Sequence, residues 1–216
     1  MRQHFSKELE SLQQELIKMG NMVDNAMEQA INALKTQDLQ LAQIVIDKDE
    51  EIDDLQVQIE DKCLMLIALQ QPIAKDLRIL STALKITTDL ERMGDHAKNI
   101  AEVALEIGKQ PLIKPLVYIP RMVDKVTVML RDALTAYVEL DIQLAESVWK
   151  ADDEVDEMCD QLLRELLTYM MSDPANINQA SQLLYVTRCL ERAGDHATNI
   201  AEWVVYLVTG RRIKGN

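Results

Sequence analysis

The amino-acid sequence predicts an all-α protein: two tandem, similar three-helix bundles built from six long antiparallel helices. Three observations carry this. The first is composition. Of 216 residues, 48% are hydrophobic but only 4% aromatic, and Gly (6) and Pro (5) are scarce. Strands and their turns draw on β-branched, aromatic and turn-forming residues, whereas Leu, Ala, Met, Glu, Gln and Lys favour helix. The second is an internal repeat: residues 91–102 read ERMGDHAKNIAE and residues 191–202 read ERAGDHATNIAE, identical at ten of twelve positions. The likeness extends backwards, with Asp38, Leu41, Ala42, Asp49, Glu51 and Asp53 answering Asp141, Leu144, Ala145, Asp152, Glu154 and Asp156, and Pro72 answering Pro174. The third is apolar spacing in steps of three and four, the mark of helices that bury one face.

In the first helix, Phe5, Leu9, Leu12, Leu16, Met19, Val23, Ala26, Ala30 and Ala33 alternate these steps without a break. Gly20 lies inside this run and is expected to weaken it by about 1 kcal/mol relative to Ala. The pattern lapses near Thr36-Gln37-Asp38, where Asp38 is placed to cap a second helix. That helix carries Leu41, Val45, Ile52, Leu55, Ile59 and Leu66, and ends at Gln71-Pro72. A third stripe runs through Ile79, Ala83, Ile86, Leu90, Met93, Ala97, Ile100, Ala104 and Ile107, and Gly108 with Pro111, Pro115 and Pro120 closes the half. The second half repeats the plan: a fourth helix over Met122–Leu140, a fifth over Leu144–Leu162 interrupted at Ser172-Asp173-Pro174, and a sixth over Leu183–Leu207 stopped by Gly210. Long helices with short connections pack antiparallel, so the repeats are placed at 1–110 and 116–216. The breaks argue against one filamentous rod, and Met19, Met93, Met122, Met129 and Met158 read as core filler.

The net charge is −13, from 23 basic and 36 acidic residues. Such a balance disfavours nucleic acid and anionic membrane surfaces and suits cations or basic partners. No apolar run approaches the roughly 20 residues of a transmembrane helix, and Met1-Arg2-Gln3-His4 opens no signal-peptide core. Cys63, Cys159 and Cys189 are scattered and lack CxxC spacing. Together these features predict a cytoplasmic chain with free thiols.

The chemistry is concentrated in the repeated dodecamer. Glu91, Asp95 and Asn99 recur every four residues, with Glu102 three further, and Glu191, Asp195, Asn199 and Glu202 do the same in the second copy. On a helix each set forms one stripe, roughly opposite the apolar face, and is expected to line a solvent-facing ridge. The second and fifth helices add Asp49 with Asp53 and Asp152 with Asp156, flanking their apolar stripes. Up to four carboxylates per half are thus expected to converge. Like charges four apart cost a helix a few tenths of a kcal/mol, a cost that a bound hard cation such as Mg²⁺, Mn²⁺, Ca²⁺ or iron offsets. The alternative is a set of solvated acids relieved by Arg92, Lys98 and Arg192. His96 and His196 fall off both stripes and read as flanking residues rather than ligands.

Other chemistries find no support. There is no Glu-x-x-His pair of the ferritin-like kind, no phosphate loop, no Gly-x-Ser-x-Gly elbow and no His-Glu-x-x-His. The expectation is a protein that is not an enzyme.

The doubled Glu-Arg-x-Gly-Asp-His-Ala-x-Asn-Ile-Ala-Glu, with Asp76-Leu77-Arg78 upstream and Asp-x-x-x-Asp in the second and fifth helices, resembles the PhoU family over Phe5 to Gly210. This is the accessory and regulatory family of bacterial phosphate-specific transport. The resemblance implies two three-helix bundles with metal ions on Asp49, Asp53, Glu91 and Asp95, and on Asp152, Asp156, Glu191 and Asp195. Asn99 and Asn199 fall where another oxygen ligand often stands. It leaves the ion open among Mg, Mn, Fe, Ca and Zn. It further implies a cytoplasmic, commonly dimeric negative regulator of phosphate uptake, acting between the phosphate ABC transporter's ATPase subunit and a sensor histidine kinase. One departure stands out: Asp76-Leu77-Arg78 has no second copy, its place being taken by Asn176-Ile177-Asn178. Two further readings remain open, a metal-independent acidic helical adaptor and a metal-dependent phosphohydrolase.

Overall fold

A computed structural model describes residues 2–70 and 72–212. Six long helices carry the chain: α1 (Arg2–Thr36), α2 (Leu39–Gln70), α3 (Ala74–Ile107), α4 (Tyr118–Glu139), α5 (Ile142–Ser172) and α6 (Ile177–Thr209), with one 3₁₀ turn at Pro174–Asn176. Among the described residues each of the six stripes forms a helix, with interruptions near Gln37-Asp38, Pro72 and Asp173-Pro174 as the sequence predicts. Gln71 of the predicted break, Met1 and residues 213–216 at the outer ends of the predicted repeats lie outside the described residues.

The helix starts follow local chemistry. The Asp38 carboxylate accepts from the backbone N–H groups of Gln40 and Leu41 at 3.1 and 3.0 Å. Its repeat partner Asp141 does the same with Gln143 and Leu144 at 2.8 and 3.1 Å. Each satisfies donors that a helix start leaves unpaired. Pro120, read from the sequence as part of the linker, sits in the first turn of α4. No intrahelical N–H is required there, so proline is tolerated. Gly108 and Gly210 end α3 and α6 with φ of 61° and 73°, backbone angles that glycine adopts at low cost.

Within the first half α1, α2 and α3 pack on one another, and α4, α5 and α6 do so in the second. The halves meet through α3 against α6 and α1 against α4. The inner helices α1, α3, α6 and α4 thereby close a four-helix ring, while α2 and α5 lie outside it, each packed within its own half. All the stripe residues of α3 except Ile79 are buried, and Met19, Met93, Met122 and Met129 are fully enclosed. Met158 is only partly buried against this core. Gly20 proves to be a contact rather than a flaw: a Cβ at this position would strike the Leu134 side chain of α4. Arg131 adds a polar clasp to the same seam, bonding Asp24 at 2.7 and 2.9 Å and Glu28 at 2.7 Å.

All three cysteines are free. Burial pushes the thiols of Cys63, Cys159 and Cys189 up to about 12, 11 and 11, so these are inert packing groups. No described helix is long and apolar enough to cross a membrane.

Candidate functional site

Each dodecamer sits mid-helix, in α3 or α6, where that helix faces the outer helix of its own half. The glycine directly before the second acid decides how close the two come. A Cβ on Gly94 would lie 3.2 Å from Ile52 Cδ1 and 3.8 Å from Asp49 Oδ1. On Gly194 it would lie 2.7 Å from Asp152 Oδ1 and 3.7 Å from Val155 Cγ1. The motif glycines let α2 and α5 approach, and so bring Asp49 and Asp152 against the acid stripe. This role was not read from the sequence, although a glycine kept at one position of a helical repeat pointed to a close approach.

The predicted solvent-facing ridge is corrected by the structure. The acids border an interhelical cleft: Glu91, Asp95 and Asn99 are half-buried, and Asp49 is only 4% exposed. The reason is packing. α3 contacts α1, α2 and α6, so it has no wholly free face, and its acid stripe falls on the seam with α2. In α6, Glu191 and Asn199 are half-buried and Asp195 is exposed.

In the first half four carboxylates converge. Desolvation raises the Glu91 pKa, and Asp95, Asp53 and Asp49 raise it further. Desolvation likewise leads the rise at Asp53, with Asp49 and Asp95 adding to it. Countercharges are built in. Lys98 Nζ lies 2.7 Å from Asp49 Oδ2, a bond that raises the lysine's own pKa. Arg92 reaches Asp95 at 3.2 Å and Glu91 at 3.4 Å. Asn99 is part-buried beside this group, with no bond to it among the contacts described.

The second half opens into a cleft of about 580 Å³ whose lining includes Asp152, Asp153, Asp156, Asp195, Asn199 and Glu202. Desolvation first, then Asp156 and Asp195, lift Asp152 to about 7. Asp156 is raised by desolvation and by Glu191 and Asp195, and Asp195 by desolvation and Glu191. No lysine bond to Asp152 stands among the contacts described. The position answering Lys98 is Thr198, whose hydroxyl donates to the Asp195 carbonyl at 2.7 Å. Glu191 is held by Arg188 at 2.5 and 2.6 Å, and by the Cys159 thiol at 3.7 Å. Arg188 was not singled out from the sequence, and Cys159 was read there as a scattered free thiol with no part in the site. Arg188 stood at i−3 to Glu191, a spacing that suggests pairing.

His96 and His196 pack against each other, and His196 is close enough to Asp195 to oppose the rise of its pKa. Their rings meet across the α3–α6 seam with centroids 5.8 Å apart. His196 Nδ1 pairs with Asp89 Oδ1 at 2.9 Å, and Asn199 Nδ2 donates to that same oxygen at 3.2 Å. His96 Nδ1 is buried without a partner among the described residues, and burial, then His196, Arg192 and Arg92, push its pKa down to about 4.

All-oxygen donors with raised pKa values suit a hard cation, which such a group would hold by displacing protons. Among the described residues, however, no three His, Cys, Asp or Glu side chains stand grouped to hold an ion as placed. Ion binding at either cleft therefore requires side-chain rotation, which the repulsion between like charges opposes until a cation arrives.

The comparisons with known proteins agree with this architecture. The family model described as the PhoU domain matches residues 16–104 and 119–204. A protein of Clostridium acetobutylicum named "Phosphate-specific transport system accessory protein PhoU homolog" is 42% identical over 216 residues, covering 100% of this chain and 99% of its own. The crystal structure of PhoU from Pseudomonas aeruginosa superposes with a TM-score of 0.92 at 38% identity, over 96% of this chain and all (100%) of that one. The phosphate transport system regulatory protein PhoU from Streptococcus pneumoniae gives 0.90 at 33% identity, over 97% and 99%. Two copies of one domain, matched along nearly the whole chain, place this protein in the PhoU family.

Proposed function

We propose that this protein is a cytoplasmic accessory protein of phosphate-specific transport, a negative regulator of phosphate uptake and homeostasis that binds metal ions in its two acidic clefts. The observation that carries the metal reading is the convergence, twice in one chain, of carboxylates from neighbouring helices whose pKa values are raised. Asp49, Asp53, Glu91 and Asp95, with Asn99 beside them, would hold ions in the first half. Asp152, Asp156, Glu191, Asp195 and Asn199 would do so in the second. A bound divalent or trivalent ion would neutralise the cluster and fix the side chains that a partner reads. The regulatory reading rests on full-length similarity to proteins named for phosphate-specific transport. Its partners, on this reading, are the transporter's ATPase subunit and a sensor histidine kinase, and its working form is a homodimer. No catalytic step is assigned to it.

Elemental analysis of untagged protein purified without chelator, beside the Asp95→Asn/Asp195→Asn variant, tests the metal site. Metal in the wild type and its loss in the variant are expected. Equal metal in both would remove these residues from the site. Deleting the gene and following phosphate uptake in phosphate-rich medium tests the regulatory reading, with uptake expected to rise.

The second reading, a metal-independent acidic adaptor, is favoured by the lack of a ready-grouped ligand set among the described residues and by Lys98 on Asp49. It predicts partner binding that weakens with salt but is indifferent to chelator.

A further inference from the structure

We propose that the end of the molecule formed by the start of α3 and the close of α6 is a docking surface for an anionic membrane. The observation is a basic and aromatic cluster in an acidic protein. Residues 73–88 and 203–216 contain Lys75, Arg78, Lys85, Arg211, Arg212 and Lys214 against a single acid, Asp76, while the whole chain carries 36 acids against 23 bases. Three of these cations, Arg78, Lys85 and Arg212, gather on two rings. The Arg212 guanidinium lies 4.7 Å and Lys85 Nζ 5.9 Å from the centre of the Trp203 ring. Arg78 lies 5.7 Å from that of Tyr206, and the two rings meet edge to face at 5.9 Å. Arg78 also donates to the Leu207 carbonyl at 3.4 Å, which accounts for the unmatched Asp76-Leu77-Arg78: its arginine closes the end of α6. Lys85, Arg211 and Arg212 are exposed.

The pseudo-equivalent end shows that the repeat does not require this chemistry. With the dodecamers offset by 100 positions (191 − 91), Arg78, Lys85, Trp203 and Tyr206 answer Asn178, Tyr185, Val103 and Glu106. There Gln182 bonds Glu106 at 3.1 Å, and Glu102 and Glu106 both act on Tyr185. One seam thus runs from an acidic end to a basic one.

A membrane fits this end better than an acidic peptide does, because large apolar side chains stand bare around the start of α3. Leu69, Ile73 and Leu77, at the neighbouring tip of α2 and α3, are 70%, 64% and 44% exposed. Basic residues with Trp, Tyr and bare aliphatics suit the headgroup boundary of an anionic bilayer. The acidic remainder is repelled by such a surface, which favours approach through this end. The contact is surface docking, since no described helix can cross the bilayer. The inference stands apart from the metal reading, and the whole-chain charge, which disfavours acidic partners, does not describe this end.

The test is co-sedimentation of the full chain with vesicles of phosphatidylcholine alone and of phosphatidylcholine mixed with phosphatidylglycerol. Binding is expected only to the anionic vesicles, weakening with added salt. It should fall about tenfold or more in Lys85→Glu/Arg211→Glu/Arg212→Glu. Reversing three exposed bases elsewhere, Lys35→Glu/Arg121→Glu/Arg164→Glu, controls for net charge and should leave most of the binding intact. Trp203 emission, read in a Trp149→Phe background, should shift to the blue on binding. Circular dichroism establishes that each variant folds. No binding to either vesicle, equal binding to both, or equal losses in the two triple variants would each overturn the proposal. Absence of vesicle binding with salt-sensitive retention of a polyglutamate peptide by the wild type alone would assign the surface to an acidic protein segment instead.

Discussion

The acid clefts of the two halves share a motif identical at ten of twelve positions, yet they differ in where the countercharge comes from. In the first, Lys98 crosses from α3 to the buried Asp49 at 2.7 Å and supplies a cation from within. In the second, Thr198 stands in its place and bonds its own helix backbone, leaving Asp152 raised to about 7 among other acids. One of the two differences in the dodecamer therefore removes the lysine that meets the buried aspartate, while Lys150 lines the second cleft and Arg188, Arg192 and His196 act on Asp195. The lesson is that a duplicated motif does not make duplicated electrostatics: on the metal reading proposed above, an ion entering the first cleft would compete with the amine bonded to Asp49, and one entering the second would meet no such bond at Asp152.

Converting one half into the other tests this directly. Thr198→Lys should place an ammonium against Asp152 and weaken Mn²⁺ binding at the second cleft by roughly 10–100-fold, read by titration calorimetry. Unchanged affinity would mean that ions do not bind there. The reverse change, Lys98→Thr, leaves Asp49 buried without its partner and should destabilise the metal-free protein by about 2 kcal/mol. Part of that loss should return with added Mn²⁺, because an opened first cleft now accepts it. Urea midpoints with and without the ion check both halves of the expectation.

A smaller effect separates the clefts by pH. The folded pKa of Asp152, about 7, stands above its ordinary value of 3.8, so the folded chain keeps a proton that the unfolded chain has released. The contribution of Asp152 is therefore fully present below its ordinary value and is lost as pH rises through about 7. With metal removed, stability should fall across this window by on the order of 1–2 kcal/mol once solvent screening is allowed for. Asp152→Asn should flatten that part of the profile, and a profile unchanged by the substitution would contradict the raised pKa. The smallest effect concerns helix approach. Gly94→Ala, meeting Ile52 at 3.2 Å, should cost about 1 kcal/mol. Gly194→Ala, meeting the Asp152 carboxylate at 2.7 Å, should instead displace that group and alter ion affinity more than stability.

Much of this was legible beforehand. The Asp38 and Asp141 caps, the breaks at Pro72 and Pro174 and the six stripes are local signals, and the structure follows them. The converging acids were legible too, since Asp49 with Asp53 and Glu91 with Asp95 each declare a helix face. Their surroundings were not. Periodicity places the acids opposite the core, but it does not say that α2 will cover that side, so a ridge was expected where a cleft exists. His96 and His196 lie at an angle that a single bundle leaves free, and only the pairing of α3 with α6 explains why they face each other. Gly20 read as a weakness until Leu134 was seen against it.

The sequence by itself determined the helices, their ends and their duplication, because hydrogen bonding within a helix, capping and apolar period act between residues a few positions apart. Only the tertiary structure decided which faces meet: Lys98 on Asp49, Asp89 on His196, and Arg78 on the end of α6. Those contacts join residues separated by 49, 107 and 129 positions. Their partners are chosen by how six helices share one core, a balance over the whole chain that no short stretch of it contains.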